Sequence, residues 1–277
     1  MAISLETAPN EFVEAAGIKF VYRRLGPREG TPLICLQHFT GTMDSWDPVV
    51  VNGLAKTRPV IVFDNSGVGK SSGKTPDNVA QMAADAGQFI SALGFTRVDL
   101  LGYSLGGFIA QLLAAHSPSL VQKVMLVGTA HQGGEEHLLE VLKEAFSHKE
   151  APDVRLPLFF TPSEVSQAAG RAFLSRASMR TVDRDPESGT AISDPQAKAL
   201  IDWCTSKDPS NAILSAIEQP VLVVCGSDDT MLPDANAYFM FKHLKNAQLI
   251  LYPDSGHGAL FQYAELVVAH TELFLNS

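Results

Sequence analysis

Short apolar runs alternate with longer amphipathic stretches along most of the chain. The later runs are almost continuously apolar, which is typical of strands that are covered on both faces. The predicted strands are Phe12–Ala16, Ile18–Leu25, Leu33–Gln37, Val60–Phe63, Val98–Leu101, Val124–Val127, Val221–Cys225 and Gln248–Tyr252. The first two flank Gly17, and this arrangement predicts an opening hairpin.

Between these runs, apolar positions recur with the 3.6-residue period of amphipathic helices. The clearest pattern begins at Val79 and ends before Gly94, a residue type that commonly terminates helices. Further helical patterns cover Leu105–His116, Ala235–Leu244 and Gly258–Leu275. Alternating strands and helices predict an α/β fold, with a mostly parallel eight-stranded sheet flanked by helices and right-handed crossovers.

Segment 131–215 interrupts this alternation. It contains no convincing strand, several prolines and helical patches at Leu138–Phe146 and Ala168–Met179. An insertion between two strands of such a sheet lies above the carboxyl edge, where these folds bind ligands. It also carries large apolar residues that a solvent-exposed surface loop would not need: Phe159, Phe160, Phe173 and Trp203. We therefore predict a core formed by 1–130 and 216–277, with 131–215 as an inserted helical cap.

Composition narrows the possible partners. The chain of 277 residues is 45% hydrophobic and 18% charged, which is typical of a globular protein. Its net charge of −9 argues against nucleic acid or an anionic membrane as a partner. The apolar runs are shorter than the roughly 20 residues of a transmembrane helix. The beginning of the sequence carries no secretory signal, so we expect a cytoplasmic protein. No pattern indicates an oligomeric state.

The sequence predicts neither a metal site nor a cofactor. Its three cysteines, Cys35, Cys204 and Cys225, form no pair with histidine or with each other at zinc-ligand spacing. The segment Gly67-Val-Gly-Lys-Ser71 resembles the end of a phosphate-binding loop. The full pattern requires a glycine where this chain has Asp64, so nucleotide binding is not predicted.

The strongest local motif is Gly102-Tyr103-Ser104-Leu105-Gly106. It follows a predicted strand and opens a predicted helix, the context in which Gly-x-Ser-x-Gly presents a serine hydroxyl above the sheet edge. The helix N-terminus also directs backbone N–H groups towards any anion that forms beside the serine. Ser104 is therefore the candidate nucleophile.

A serine nucleophile needs a base, and a histidine base needs an acid that orients it. His257 lies after the last predicted strand and before the last helix. Asp228 and Asp229 follow the preceding strand, and spacing alone does not distinguish these neighbours. The order along the chain is serine, aspartate, histidine.

These motifs resemble the α/β-hydrolase superfamily over essentially the whole chain outside the cap, and in particular the haloperoxidase or perhydrolase-like and the lactonase or esterase-like branches. In that superfamily the acid commonly lies in Gly-x-x-Asp-x-x-x-Pro, which Gly226, Asp229 and Pro233 match. The resemblance therefore favours Asp229, with Asp228 as the alternative.

The resemblance also implies an oxyanion hole in the segment His38-Phe39-Thr40-Gly41. Its donors would be the backbone N–H groups of Phe39 and Leu105. Family members usually read His-Gly-x-x-Gly here, so Phe39 or Thr40 replaces the customary small residues, and the bulky Phe39 side chain is expected to intrude on the acyl pocket. The candidate pocket residues are His38, Thr40, Trp46, Tyr103 and His131.

The sequence thus predicts a cofactor-free serine hydrolase that cleaves a small, largely apolar ester or lactone through an acyl-enzyme. A carbon–carbon bond hydrolase, or a perhydrolase or acyltransferase, would use the same triad. A small-molecule receptor built on a hydrolase fold is the alternative of another class. The expected partner in every case is a small molecule.

Overall fold

Eight strands form one sheet in the protein, whose structure is a computed structural model that describes residues 3–134, 138, 140–141, 143 and 153–277. The strands are β1 (Glu11–Ala15), β2 (Ile18–Leu25), β3 (Leu33–Leu36), β4 (Val60–Phe63), β5 (Val98–Tyr103), β6 (Val121–Val127), β7 (Val221–Gly226) and β8 (Ala247–Tyr252). Their order in the sheet is β1-β2-β4-β3-β5-β6-β7-β8. The pairs β1–β2 and β2–β4 are antiparallel, and every other pair is parallel. The predicted α/β-hydrolase fold with a mostly parallel eight-stranded sheet is confirmed.

Helices cover both faces of this sheet. They are α1 (Pro48–Leu54), α2 (Val79–Ala92), α3 (Leu105–His116), α4 (Arg155–Phe159), α5 (Glu164–Ala177), α6 (Thr190–Thr205), α7 (Ala212–Ala216), α8 (Asp234–His243), α9 (Ala259–Gln262) and α10 (Ala264–Asn276). Strands β3, β4, β5 and β7 are buried at every position because both of their faces pack against helices. Within the described residues, no helix combines the length and apolar character needed to cross a membrane.

The last helical pattern, predicted as one helix over Gly258–Leu275, forms two helices that meet at Tyr263. The backbone of Tyr263 leaves the helical conformation, with φ −108° and ψ 33°, and its side chain packs on the segment before the histidine loop. Its hydroxyl donates a hydrogen bond to the Pro253 carbonyl at 2.8 Å, and its ring stacks on Tyr252 at 4.7 Å. Helices α1 and α6 were not predicted from the sequence.

Helices α4 to α7 lie in the segment predicted as the cap. The patch Ala168–Met179 falls largely within α5, whereas most of the predicted helix 138–146 lies outside the described residues. The end of α6 packs on the core, because the Trp203 ring stacks on Phe108 of α3 at 5.2 Å. The division into a core and a cap at 131 and 215 stays a prediction.

Charged groups join the predicted cap to the core. Arg176 of α5 makes a bidentate ion pair with Asp47, with distances of 2.9 and 2.6 Å. The backbone N–H of Asp185 donates to the carboxylate of Asp44 at 2.7 Å. The other oxygen of Asp44 accepts from the fully buried Arg23 at 2.6 Å. These contacts hold residues 176–185 against the loop that follows β3.

Candidate active site

The candidate site lies where the strand order reverses. Strand β3 pairs with β4 on one side and with β5 on the other, so the segments that follow β3 and β5 emerge next to each other. Such a crevice outside the carboxyl ends of parallel strands is where α/β sheets bind ligands. Residues 37–42 follow β3, and Ser104 follows β5.

Ser104 has a strained backbone, with φ 54° and ψ −117°, between β5 and α3. Close packing around the turn requires glycine on both sides of it. A Cβ at Gly102 would lie 2.4 Å from the Gly106 carbonyl oxygen, and a Cβ at Gly106 would lie 2.0 Å from that of Leu36. The Thr129 hydroxyl donates to the Ser104 carbonyl at 2.9 Å and helps to hold this geometry.

His257 pairs with Asp229. The imidazole Nδ1 lies 2.8 Å from Oδ2 of Asp229, and both side chains are almost completely buried. The other oxygen of Asp229 accepts the backbone N–H groups of Met231 and Leu232 at 2.9 and 3.0 Å. Asp228 is exposed and takes no part in this arrangement. The carboxylate of Asp229 therefore fixes the orientation of the imidazole ring.

Aromatic side chains enclose the His257 imidazole. The Tyr103 ring lies 5.3 Å from it and the Phe159 ring 5.4 Å, between centroids. Burial raises the pKa of the Tyr103 hydroxyl well above its usual value, so the hydroxyl stays protonated. It donates a hydrogen bond to the His257 carbonyl at 3.0 Å. The Gly258 N–H donates to the Phe159 carbonyl at 2.8 Å, which joins helix α4 to the histidine loop.

The turn after β3 leaves one backbone amide available among its described residues. The other four amides of residues 38–42 have acceptors: His38 on Gln37 Oε1 at 2.8 Å, Thr40 on Gln196 Oε1 at 2.6 Å, Gly41 on the His38 carbonyl at 3.0 Å, and Thr42 on Ser45 Oγ at 3.2 Å. The amide of Phe39 has none. Leu105 is the first residue of α3, so its amide has no acceptor within the helix.

His38 is a neutral group at this turn. Burial lowers the pKa of its imidazole to about 3. Its Nδ1 lies 2.7 Å from the Phe39 carbonyl, so Nδ1 carries the proton and donates it there. The buried Nε2 atom has no hydrogen-bond partner among the residues that the structure describes. A neutral His38 adds no positive charge beside His257.

A cavity of about 680 Å³ contains Ser104 and His257. Its apolar lining residues include Phe39, Val154, Leu158, Phe159 and Met231. Its polar lining residues include Thr40, Thr42, Ser45, Arg155, Arg184, Glu187, Ser188 and Ser193. No group of three or more His, Cys, Asp or Glu side chains in the described part of the chain is arranged to hold a metal ion.

The five candidate pocket residues are in different places. His38 and Thr40 line the cavity. Trp46 and Tyr103 are buried next to each other, with ring centroids 6.4 Å apart, and they do not reach the cavity wall. His131 stacks on Phe239 at 4.0 Å and is also not part of the wall.

Sequence reasoning missed the contribution of residues 184–190, which supply a continuous part of the cavity wall. It also missed Gln196, which reaches the turn after β3 from helix α6. Neither belongs to a recognisable motif, and no periodic pattern points to them. They reach the site through tertiary packing of the segment between β6 and β7.

Comparisons with known proteins agree with this architecture. A family model described as the alpha/beta hydrolase fold matches residues 31–263. An alpha/beta hydrolase fold protein from Chitinophaga pinensis is 45% identical, with a TM-score of 0.94 and 99% of both chains covered. A putative non-heme bromoperoxidase, BpoC, from Mycobacterium tuberculosis is 27% identical over 86% of this chain and 91% of its own.

A pimeloyl-[acyl-carrier protein] methyl ester esterase from Neisseria meningitidis is 28% identical, over 78% of this chain and 82% of its own. These relatives are similar in sequence along most of the chain, and the Chitinophaga protein is also similar in structure along nearly all of it. The matched residues 31–263 include the strand–serine–helix turn, the aspartate after β7 and the histidine after β8. The chain belongs to the alpha/beta hydrolase fold family.

Proposed function

We propose that the protein is a serine hydrolase that cleaves small carboxylic esters or lactones through an acyl-enzyme, without a cofactor. The observation that carries this proposal is that Ser104 and His257 line one cavity while His257 Nδ1 contacts Asp229 at 2.8 Å. A serine and a histidine that share a cavity, with an aspartate on the far nitrogen of the histidine, can supply the nucleophile, base and orienting acid of acyl transfer. The similarity to a methyl ester esterase adds support.

In this mechanism Ser104 Oγ attacks the carbonyl carbon and its proton passes to His257 Nε2. Asp229 holds the imidazole in the tautomer with Nδ1–H and stabilises its charged form. The imidazolium then protonates the departing alcohol, and the acyl group stays on Ser104. Water then attacks the acyl carbon while His257 takes one of its protons. The imidazolium returns that proton to Ser104 Oγ as the bond to the serine breaks and the acid leaves.

The oxyanion formed in each step would accept hydrogen bonds from the Phe39 and Leu105 amides. Within the 38–42 turn, the Phe39 amide has no acceptor among the described residues. The Leu105 amide lies at the N-terminus of helix α3. Loss of one such donor typically costs about 100–1,000-fold in kcat. The placement of these two amides therefore matters more to the rate than the side chains beside them.

The walls of the cavity suggest the shape of the substrate. The apolar side chains of Leu158, Phe159 and Met231 favour an acyl group with little polarity. The polar side chains in the same lining, which include Thr40 and Ser188, favour a further hydrogen-bonding group elsewhere in the substrate. Compared with the largely apolar substrate expected from the sequence, we propose an ester or lactone with one apolar and one polar part.

Two measurements test the proposal. Purified wild-type protein should hydrolyse short-chain p-nitrophenyl esters and should be labelled on Ser104 by a fluorophosphonate, as mass spectrometry of the peptide would detect. The Ser104→Ala variant should lose both properties while its thermal unfolding stays close to that of the wild type. Ser91→Ala is the matched control, because Ser91 is exposed on α2 and lies outside this cavity, and it should retain labelling and activity.

Hydrolysis that survives in Ser104→Ala, or a label on another residue, would overturn the assignment of the nucleophile. A wild-type protein that binds small esters or lactones without turnover would favour a receptor instead. A parallel panel of lactones with increasing ring size distinguishes lactonase from esterase activity, since both share the same triad.

A further inference from the structure

The turn after β3 is held in a strained shape. Thr40 has φ 59°, in the left-handed region that β-branched residues rarely adopt. Its N–H donates to Gln196 Oε1 at 2.6 Å, and its carbonyl accepts from the Ser188 hydroxyl at 2.8 Å. Gln196 and Ser188 both belong to the segment between β6 and β7. The groups that hold Thr40 from outside the turn therefore come from this inserted segment.

The peptide group between Phe39 and Thr40 is fixed at both of its polar atoms. Its carbonyl accepts His38 Nδ1 and Thr40 Oγ1, each at 2.7 Å. Its N–H is the group that Gln196 accepts. The Phe39 N–H belongs to the peptide group immediately before it, so the fixed Phe39–Thr40 peptide restrains the backbone on one side of that amide.

Gln196 is itself held firmly. It is 1% exposed and lies in helix α6, immediately after Pro195. The same helix is fastened to the core at its far end, where Trp203 stacks on Phe108 at 5.2 Å and donates its indole N–H to the Ala130 carbonyl at 3.3 Å.

Phe108 belongs to α3, whose first residue is Leu105. One helix of the inserted segment thus contacts both the turn that carries the Phe39 amide and the helix that begins with the Leu105 amide. The same helix therefore contacts both of the elements that carry the amides proposed to bind the oxyanion.

We infer that Gln196 is a positioning residue for the oxyanion hole: by accepting the Thr40 N–H it keeps the turn strained and the Phe39 amide aimed into the cavity. This inference rests on the proposed function. Without Gln196, Thr40 would relax towards negative φ and the Phe39 amide would turn away. The transition state would then lose stabilisation, while binding of the neutral substrate would change little.

The test compares Gln196→Met, which fills similar space without an acceptor, with Gln196→Glu, which keeps one. We expect Gln196→Met to lower kcat roughly 10–100-fold, less than the complete loss of an oxyanion donor. KM should change less than about threefold, because the neutral substrate makes little use of the oxyanion hole. A trifluoromethyl ketone, which forms an oxyanion on Ser104, should bind more weakly by the same factor as kcat falls. Gln196→Glu should recover most of the rate.

A second substitution separates positioning from general damage. Glycine adopts positive φ without strain, so Thr40→Gly should remove much of the need for Gln196. The fall in kcat caused by Gln196→Met should therefore be at least about threefold smaller in a Thr40→Gly background. Gln167→Met is the matched control, because Gln167 also binds backbone carbonyls of the inserted segment but does not touch the turn. It should leave kcat unchanged.

An unchanged kcat in Gln196→Met would overturn the inference, and so would an equal loss with Thr40 and with Gly at position 40. A similar loss in Gln167→Met would also overturn it, since the effect would then belong to the inserted segment as a whole. The proposed function is judged separately, by Ser104→Ala: if that variant is active, the function is wrong whatever Gln196 does.

Discussion

The imidazole of His257 contacts the carboxylate of Asp229 at 2.8 Å, whereas Asp228, the next residue in the chain, is exposed. Two backbone N–H groups, from Met231 and Leu232, hold the Asp229 carboxylate in place. Sequence spacing alone does not show which of these two aspartates orients the histidine. Burial and hydrogen bonding distinguish them. The relationship is the basis of the first prediction.

Asp229→Asn should lower kcat by about 10³–10⁴-fold, because an amide can donate to Nδ1 and favour the wrong tautomer of His257. Asp228→Asn is the matched control and should change kcat less than about twofold, since its side chain is exposed and does not contact His257. Both are measured as p-nitrophenyl ester hydrolysis at saturating substrate. The reverse ranking of the two variants would assign the orienting acid to Asp228.

The side chain of Phe39 lines the cavity beside the proposed oxyanion donors. Phe39→Ala should open space for longer acyl chains, whereas the donor, a backbone amide, is retained. We expect the ratio of kcat/KM for octanoyl to acetyl p-nitrophenyl esters to rise roughly tenfold, with Phe39→Leu in between. An unchanged ratio would show that the acyl chain does not lie against Phe39.

Gly106 lies at the closest approach of α3 to β3. A methyl group there would meet the Leu36 carbonyl oxygen at 2.0 Å, so Gly106→Ala should force the helix and the strand apart. We expect a loss of about 3 kcal/mol or more in the free energy of unfolding, together with loss of activity. Urea denaturation and ester hydrolysis measure the two effects.

Gly87→Ala is the control for this substitution. Gly87 lies within α2, where an added methyl would be 3.4 Å from a side-chain carbon of Leu113, an ordinary contact. Alanine in a helix interior is favoured over glycine by about 0.5–1 kcal/mol, so this variant should be slightly more stable. Equal destabilisation of both variants would refute the argument from close approach.

The sheet was predictable because buried parallel strands have a local signature. Strand β7 is an uninterrupted apolar run with no helical period, and Gly226 at its end begins the acid motif. The helix Pro48–Leu54 was not predicted because three consecutive valines suggest a strand, whereas Pro48 at its first turn and the Asp47 cap permit a helix.

The candidate site also contains residues that local motifs predict and residues that they do not. Ser104, Asp229 and His257 each follow a strand within a short motif, so their positions at one sheet edge follow from topology. Gln196 has no such motif, and its contact with Thr40 spans 156 residues of sequence. Trp46 was a pocket candidate from its place after β3, but its ring turns into the apolar layer and is 1% exposed. Side-chain direction within a loop depends on packing that a local pattern does not contain.

Asp99 is a buried acid at the other end of β5, away from Ser104. The guanidinium of Arg58 lies 3.9 Å from its carboxylate, and Lys123 of the neighbouring strand β6 also acts on it. Burial raises the pKa of this carboxyl from 3.8 to about 6, and the Arg58 guanidinium opposes only part of that rise. Arg58 has a second partner in Glu272 at 3.2 Å, so removal of the Asp99 charge does not leave the guanidinium unpaired.

A carboxyl with a raised pKa in the folded state binds more protons there than in the unfolded chain between about pH 4 and pH 6. Its contribution to the free energy of unfolding therefore falls by at most about 3 kcal/mol as pH rises through that window, and it is constant above it.

Asp99→Asn should remove this fall, so the variant should gain stability relative to the wild type from pH 4.5 to pH 6.5 and keep a constant difference from pH 7 to 8. Urea denaturation at each pH measures the difference, and Asp228→Asn, an exposed acid, should follow the wild-type curve. A constant difference across the whole range would mean that Asp99 is already ionised at pH 4.5 in the folded protein.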